Sequence, residues 1–466
     1  MADMRAAGEV PSPAAEYAAA LRIIRERGRF GIHLGLGRTR AILGALGDPQ
    51  RSFRGALVAG TNGKGSVLAL AGAALASAGY RVGSTPKPHL VTYRERLQIG
   101  GRPVDAGTFA RLVGEVDAAA ASIPRRLGEP TEFELLTAVV FRWFAEERID
   151  LALVEVGLGG RLDATHAWDG GVAAITNVDL DHMDRLGPTI RHIAREKAAI
   201  IERGDLAVTG ATGDALAIVR RRARRLGVPL REIAPAELVG WNREGIEVEL
   251  ERLGRTRVGL LGRHQAANVA VADAVLDALE QAGVAAVPAA ARRDGYAAAR
   301  WAGRLELLTI DGRDVLLDGA HNPAGAAALG RALDDLRPLL TGGAAAPARR
   351  PPVTLLTATM ADKDVAGIAL ALGGAAALED AHIICTSLDL ARAMSSADLA
   401  AVWSAVPLPG RRTVVAEPDV DTALGRALRE TAGPLVVAGS LYLVGEVRRR
   451  LVADPLLEDP REVAAG

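Results

Sequence analysis

The chain has 466 residues, 49% of them apolar and 24% charged, with 56 basic and 56 acidic side chains. That length exceeds one ordinary core, so two or three domains are expected, and the balanced charge creates no field for nucleic acid or a membrane surface. The single cysteine, Cys385, excludes an internal disulfide; no apolar run is long enough to span a bilayer, and residues 1–13 lack the apolar core of a signal peptide, so a cytoplasmic location is expected.

Only four basic residues are lysines: Lys64, Lys87, Lys197 and Lys363. In a chain that has otherwise chosen arginine, a surviving lysine points to a task for a compact, reactive amine. Residues 14–27 place Tyr17, Leu21 and Ile24 on one helical face, and Gly28 stops that helix. Leu34-Gly35-Leu36-Gly37-Arg38 leads into a second helix. An apolar strand over 56–59 then runs into Gly60-Thr61-Asn62-Gly63-Lys64-Gly65-Ser66, followed by a helix of small and apolar residues over 67–78. Strand, glycine-rich loop and helix together make a phosphate cradle: backbone N–H groups face inward and the helix N-terminus adds positive charge. Lys64 would neutralise the terminal phosphate, and a hydroxyl would reach Mg2+. The spacing is irregular, because Val58 stands where the usual first glycine would be and Gly65 separates Lys64 from Ser66.

A strand starting at 81–83, a Pro-rich loop over 84–90, a basic segment over 93–96, a hairpin at Gly100-Gly101 and a helix over 106–123 come next. Thr131-Glu132-Phe133-Glu134 opens a helix; a capping box accounts for Thr131 and Glu134 as well as a substrate contact does. A buried strand over 151–156 carries Glu155, a loop spans 157–165, and a strand over 172–177 precedes Asp181, His182 and Asp184. A helix over 189–203 holds Lys197. This alternation predicts a parallel, doubly wound sheet whose ligands lie beyond the C-terminal strand ends, where Gly60, Glu155 and His182 fall. Glu155 is either a metal partner or a solvated carboxylate, and the adjoining cradle favours metal. His182 is structural or part of an anionic pocket; Lys197 pairs with Glu196 or Asp184, or carries CO2 as a carbamate ligand. The arginine run over 220–225 reads as a solvated helix face. A hairpin over 246–260, a helix leading from 262–268 to 282, and an alanine-rich linker over 287–300 follow. A second α/β unit starts at Trp301, with strands over 315–317, 353–356, 383–386, 414–416 and 435–438. Residues 341–352 read as a mobile surface loop, and the tail after Asp454 as frayed. The division is therefore 1–298 and 299–466.

Eleven segments, met in order from about Tyr17 to Leu451, give the chain a resemblance to folylpolyglutamate synthases and bacterial dihydrofolate synthase/folylpolyglutamate synthases of the Mur ligase superfamily. They are Leu34-Gly35-Leu36; Ala59 through Ser66; Pro88-His89-Leu90; Glu155 through Thr165; Leu180-Asp181-His182; Arg195-Glu196-Lys197-Ala198; His264-Gln265-Ala266-Ala267-Asn268; Gly303-Arg304; Asp318-Gly319-Ala320-His321-Asn322-Pro323; Asp362-Lys363-Asp364; and Gly439-Ser440-Leu441. The resemblance implies an α/β fold: an N-terminal P-loop ATPase domain with a doubly wound sheet and a smaller, Rossmann-like C-terminal domain. It implies that ATP phosphorylates a pteroate or folate carboxylate and that the amine of L-glutamate displaces the phosphate. Gly60 through Ser66, Asn268, Arg304, Asp318 and His321 would hold ATP; Glu155, His182 and a carbamylated Lys197 would hold two Mg2+ ions. Lys64, His182 and Lys197 are the expected catalytic groups. Leu34, Gly35, Leu36, Arg38, Thr131, Phe133, Glu134, Leu162, Asp163 and Ala164 resemble the pterin side, with Lys87, His89 and Arg96 beside it. The expected partners are these small molecules alone, with no nucleic acid or membrane, and the expected state is a monomer.

The chain departs from that pattern at Lys87, where the family has a metal-binding serine. Lys87 either supplies charge to a phosphate or leaves a coordination position to water. Gly37, His166 and Ala199 also differ, replacing Glu, Asn and Gly. Two other readings compete: a Mur-type cell-wall ligase and a nucleotide-dependent switch that ligates nothing. Against the first stand the 59 residues before Gly60, too few for a full N-terminal domain, and Gly65 after Lys64; against the second, a second α/β unit with Asp318 and His321. Arg392 and Ser440 are candidates for the glutamate site.

Overall fold

In the computed structural model, which describes residues 12–28, 31, 33–341, 351–407 and 410–460, the first sheet has eight strands. They are β1 (Gly55–Ala59), β2 (Val82–Thr85), β3 (Gln98–Ile99), β4 (Arg102–Pro103), β5 (Leu151–Glu155), β6 (Gly171–Ile175), β7 (Leu206–Thr209) and β8 (Leu230–Glu232). Their order is β4-β3-β2-β5-β1-β6-β7-β8. β3 and β4 form an antiparallel edge on β2, and the pairings from β2 through β8 are parallel. β1 is apolar throughout because both its faces are covered: Ala56 and Val58 join one core, Leu57 and Ala59 the other. Its register sets Val58 beside Glu155 and Ala59 beside Ile175, so three strand ends meet at the phosphate loop.

The helix Lys64–Ser77 and the helices Gln265–Gln281 and Ala289–Ala298 build the core on one face of the sheet. The last of these corrects the linker expectation for 287–300. Tyr296 and Arg292, four residues apart, form a buried inner face: the Tyr296 hydroxyl donates to Asp273 Oδ1 at 2.9 Å, and Arg292 Nη1 to Asp273 and Asp277 at 3.0 and 2.7 Å. Alanine elsewhere lets the helix lie close to its neighbour, so a composition that reads as linker is a packing surface. Pro13–Gly28, Ala106–Ala121 and Glu132–Glu146 contribute to the opposite core. In the helix Gly213–Leu226, Arg220, Arg221, Arg224 and Arg225 are exposed, as a solvated face requires.

The expected hairpin over 246–260 is two strands of a three-stranded ribbon: β9 (Glu237–Asn242), β10 (Gly245–Leu250) and β11 (Gly254–Val258). The second sheet contains β12 (Glu306–Ile310), β13 (Arg313–Leu317), β14 (Thr354–Thr357), β15 (His382–Cys385), β16 (Thr413–Ala416) and β17 (Leu435–Ala438). Its order is β12-β13-β17-β14-β15-β16, parallel except for the antiparallel edge β12.

The tail after Asp454 is docked rather than frayed as far as residue 460. Asp459 Oδ1 accepts from Tyr17 Oη at 2.9 Å, Thr92 Oγ1 at 2.7 Å and Arg94 Nε at 3.2 Å, and Arg94 Nη2 donates to Glu458 O at 2.7 Å. Arg94 is 5% exposed, and a guanidinium buried that far needs acceptors from somewhere. The expected loop at 342–350 lies outside the described residues, as do 1–11 and 461–466. Among the described residues no helix is long and apolar enough to cross a membrane.

Candidate active site

The phosphate loop is held by the strand beside it. Thr61 N donates to Asn177 O at 3.1 Å, Asn62 N to Asn177 Oδ1 at 2.9 Å, and Thr176 Oγ1 to Asn62 O at 2.6 Å. Gly60 has φ +155°, and a Cβ there would lie 1.8 Å from Thr176 Oγ1, so only glycine fits. Gly65 has a different reason to lack a side chain: a Cβ would come within 2.6 Å of the Trp301 ring. The irregular spacing therefore lets Trp301 pack onto the loop.

Lys64 Nζ donates to Gly60 O at 3.1 Å and Thr61 O at 3.2 Å and stands 3.9 Å from Glu155 Oε1. Glu155 is 4% exposed; burial raises its carboxyl above the ordinary range, against the pull of Lys64 and Lys87. His182 occupies a left-handed backbone position, φ +49°, unusual for a non-glycine residue. Its Nε2 is 3.9 Å from Asp181, whereas Asp184 pairs with Arg185. Burial lowers the imidazole below its ordinary value. Lys197 pairs with neither Glu196, which holds Arg161, nor Asp184; its Nζ donates to Gly60 O at 2.8 Å. Burial, then Lys64, pushes Lys197 down to about 7. Burial lowers His321 as well, and the charges of Arg304 and Lys363 add to it. Three of the four lysines, Lys64, Lys87 and Lys197, thus meet at Gly60 and Glu155.

A single cavity of 840 Å³ opens above these strand ends. Thr61, Asn62, Gly63, Lys64, Gly65, Ser66, Asn268, Glu155 and His182 line it from the first sheet's side, and Arg304, Asp318 and His321 from the second. Asp318 accepts from Leu305 N and Ala320 N, both at 2.9 Å, and burial raises its carboxyl. His321 Nδ1 is 2.8 Å from Gly319 O, which fixes the proton there and leaves Nε2 as an acceptor.

Leu34, Gly35, Lys87, Arg96, Thr131, Phe133, Glu134, Leu162, Asp163 and Ala164 line the same cavity. Leu36, Arg38, His89, Gly60 and Lys197 do not. Leu36 is the N-cap of the helix Gly37–Ala45. Arg38 Nε donates to both Glu134 oxygens at 3.0 and 2.9 Å. The capping box at Thr131 and Glu134 is built, so these two residues cap a helix and line the wall at once. His89 stacks on Tyr93 and accepts from Arg96 Nε at 2.9 Å; burial and Arg96 push it down to about 3, so it is a neutral brace for Arg96. Gly60 serves through its carbonyl, the acceptor for both Lys64 and Lys197.

Sequence reasoning missed Asn177, Trp301, His264 and Arg331 as wall residues. Asn177 ends an expected strand, Trp301 precedes Gly303-Arg304 and His264 opens the segment through Asn268, whereas nothing in the sequence marks Arg331. The two glutamate candidates sit elsewhere: Ser440 caps the helix Leu441–Leu451, and the Arg392 side chain is 73% exposed against Asp362. Among the described residues no three His, Cys, Asp or Glu side chains form a ready-made metal cage. A buried carboxylate at a phosphate loop still fits Mg2+, which keeps several waters and takes phosphate oxygens as ligands. Glu155 Oε1 is free of hydrogen bonds and faces that loop, so the donor set fits.

Residues 58–276 match the Mur ligase middle domain, and residues 305–451 the C-terminal domain of dihydrofolate synthetase. The dihydrofolate synthase/folylpolyglutamate synthase of Bacillus subtilis is 36% identical over 313 residues, covering 65% of this chain and 72% of that protein. The chain belongs to the dihydrofolate synthase/folylpolyglutamate synthase family. The pair of α/β bodies, each built on a parallel-rich sheet, is that family's fold. Mycobacterium tuberculosis folylpolyglutamate synthase, solved with ADP and AMPPCP, superposes with a TM-score of 0.82 at 29% identity, over 94% of this chain and 100% of that one. A bifunctional folylpolyglutamate synthase/dihydrofolate synthase with Mn, AMPPNP and L-glutamate bound gives 0.75 at 28%, over 95% and 100%. Family membership makes the chain an ATP-dependent ligase, and the cell-wall ligase and the non-ligating switch give way to it.

Proposed function

We propose that this ligase adds L-glutamate to dihydropteroate, to tetrahydrofolate polyglutamates, or to both, through an acyl phosphate. The observation that carries the reading is the shared cavity: a phosphate cradle and an acceptor wall face each other in one space, with Arg304, Asp318 and His321 reaching in from the second sheet. An acceptor carboxylate oxygen would attack the terminal phosphorus of ATP while the bond to ADP breaks. The glutamate amine would then attack the acyl carbon, lose a proton and expel phosphate, leaving an amide.

In this reading the loop N–H groups and Lys64 hold the triphosphate, and Asn268, Arg304 and Asp318 hold the rest of the nucleotide. Glu155 and His182 would hold Mg2+, which supplies positive charge for the phosphate oxygens when bound. Lys197, 5% exposed with one acceptor at Gly60 O, would carry CO2 as a carbamate and serve a second ion. A structural boundary between 298 and 299 is supported by the helix that ends at Ala298 and the strand that begins at Glu306. The monomeric state and the cytoplasmic location are part of the same proposal.

The test is incubation of the purified chain with ATP, Mg2+, L-glutamate and either dihydropteroate or tetrahydrofolate, with the products weighed. One or more added glutamyl units are expected; no added mass with any folate would sink the assignment.

A further inference from the structure

Lys87 is the lysine that the phosphate cradle does not explain. It lies on the loop after β2, between the acceptor wall and the phosphate loop. Its backbone N–H donates to Glu155 Oε2 at 2.9 Å, and its Nζ to Glu155 O at 2.5 Å. The Nζ also stands 4.9 Å from the centre of the Phe133 ring, over its face. These contacts fix where the amine points, because the same residue supplies both acceptors and a ring blocks the other side. They use one of the three ammonium hydrogens. Among the described residues no carboxylate comes within ion-pair distance of the Lys87 Nζ. A half-buried ammonium with one carbonyl partner is an incomplete arrangement unless a ligand anion completes it.

The position says which anion. Glu155 is shared: its Oε1 faces Lys64 Nζ at 3.9 Å, and its Oε2 takes the Lys87 N–H. Lys64 marks the terminal phosphate and Phe133 marks the acceptor wall, so Lys87 stands at the seam between them. At that seam an acceptor carboxylate must approach a phosphate of like charge. We propose that the Lys87 ammonium binds the acceptor carboxylate and holds it against the terminal phosphate during acyl-phosphate formation. This rests on the function proposed above. A carboxylate oxygen forms the bond to phosphorus, the bond to ADP breaks, and ADP takes the electron pair. Lys87 keeps its proton throughout and acts by charge and position.

The competing role is structural: Lys87 ties the loop after β2 to the end of β5 and does nothing more. Two variants separate the roles. Lys87→Gln keeps an N–H donor for the Glu155 carbonyl and loses the charge, whereas Lys87→Ser loses both. With the full chain, KM and kcat are measured separately for acceptor and for ATP, ADP affinity is measured by calorimetry, and thermal stability is recorded. The expected result is that both variants lose about 100-fold or more in kcat/KM for the acceptor, while ADP affinity shifts by less than about threefold. Lys87→Gln retaining near-wild-type acceptor kinetics would overturn the proposal, as would a loss of ADP affinity in step with the acceptor. A wild-type chain that glutamylates no folate would refute the parent reading instead, so the two failures are distinct.

Discussion

Arg243 and Asp314 join the β9–β10 turn to the second sheet, and cutting that pair tests how the two bodies hold each other. Arg243 donates to Asp314 through Nη1 at 2.5 Å and Nη2 at 2.6 Å, and Nη1 also reaches Leu339 O at 2.8 Å. The Asp314 side chain is 0% exposed and that of Arg243 is 38% exposed. Asp314 also accepts from Thr341 N at 2.6 Å and from the Thr341 and Thr309 hydroxyls at 3.0 and 3.2 Å. Burial alone would raise its carboxyl, but Arg243 and Thr341 outweigh burial and hold it below the ordinary range. Removing one member of a fully buried pair costs roughly 3–5 kcal/mol. Here the arginine is partly solvated and the carboxylate keeps three other donors, so Arg243→Met is expected to cost about 2 kcal/mol. That lowers the melting transition of the second body by about 4–8 °C in calorimetry. Arg243→Met/Asp314→Asn should regain part of the loss, since no charge is then stranded. The depressed carboxyl contributes stability above its unfolded value that is lost as pH falls through its folded value, and without Arg243 that loss should begin at a higher pH. An Arg243→Met melting curve within about 1 °C of wild type, or no recovery in the double variant, would refute the reasoning.

Burial and the neighbouring Asp169 raise Asp205 to about 7. Its contribution to stability is therefore full below the ordinary carboxylate range and lost as pH rises through about 7. Asp205→Asn keeps an acceptor for Glu202 N, so it should flatten that slope and raise stability at pH 8 by at most about 2 kcal/mol after solvent screening; urea titrations with equal slopes for both proteins would exclude this. Asp459→Ala should cost about 1 kcal/mol by stranding the Arg94 guanidinium, read by thermal melting, and an unchanged melting point would show that the tail does not hold. Gly65→Ala should displace the Trp301 ring and weaken ADP binding measured by calorimetry, and adding Trp301→Ala should restore part of it; if the second change makes binding worse, the 2.6 Å approach is not the cause.

Chemistry that resides in single residues was legible early. The phosphate loop, Glu155 at a strand end and the capping box at Thr131 and Glu134 all follow from residue type and spacing. Local backbone sterics and hydrophobic period act over a few residues, and a sequence displays those directly. The alanine-rich segment at 287–300 and the tail at Asp459 were misjudged for one shared reason. Their partners, Asp273 for Tyr296 and Arg94 for Asp459, lie far along the chain, and composition says nothing about a distant acceptor.

The sequence by itself determined the α/β alternation, the cradle and its lysine, and through its ordered motifs the family to which the chain belongs. The tertiary structure alone decided which residues share a wall. It turned Arg38 and His89 into braces, drew Gly65 against Trp301, and set Lys87 on the carbonyl of Glu155. Those outcomes depend on strand register and on two sheets meeting across one cavity, which are long-range pairings no local pattern encodes.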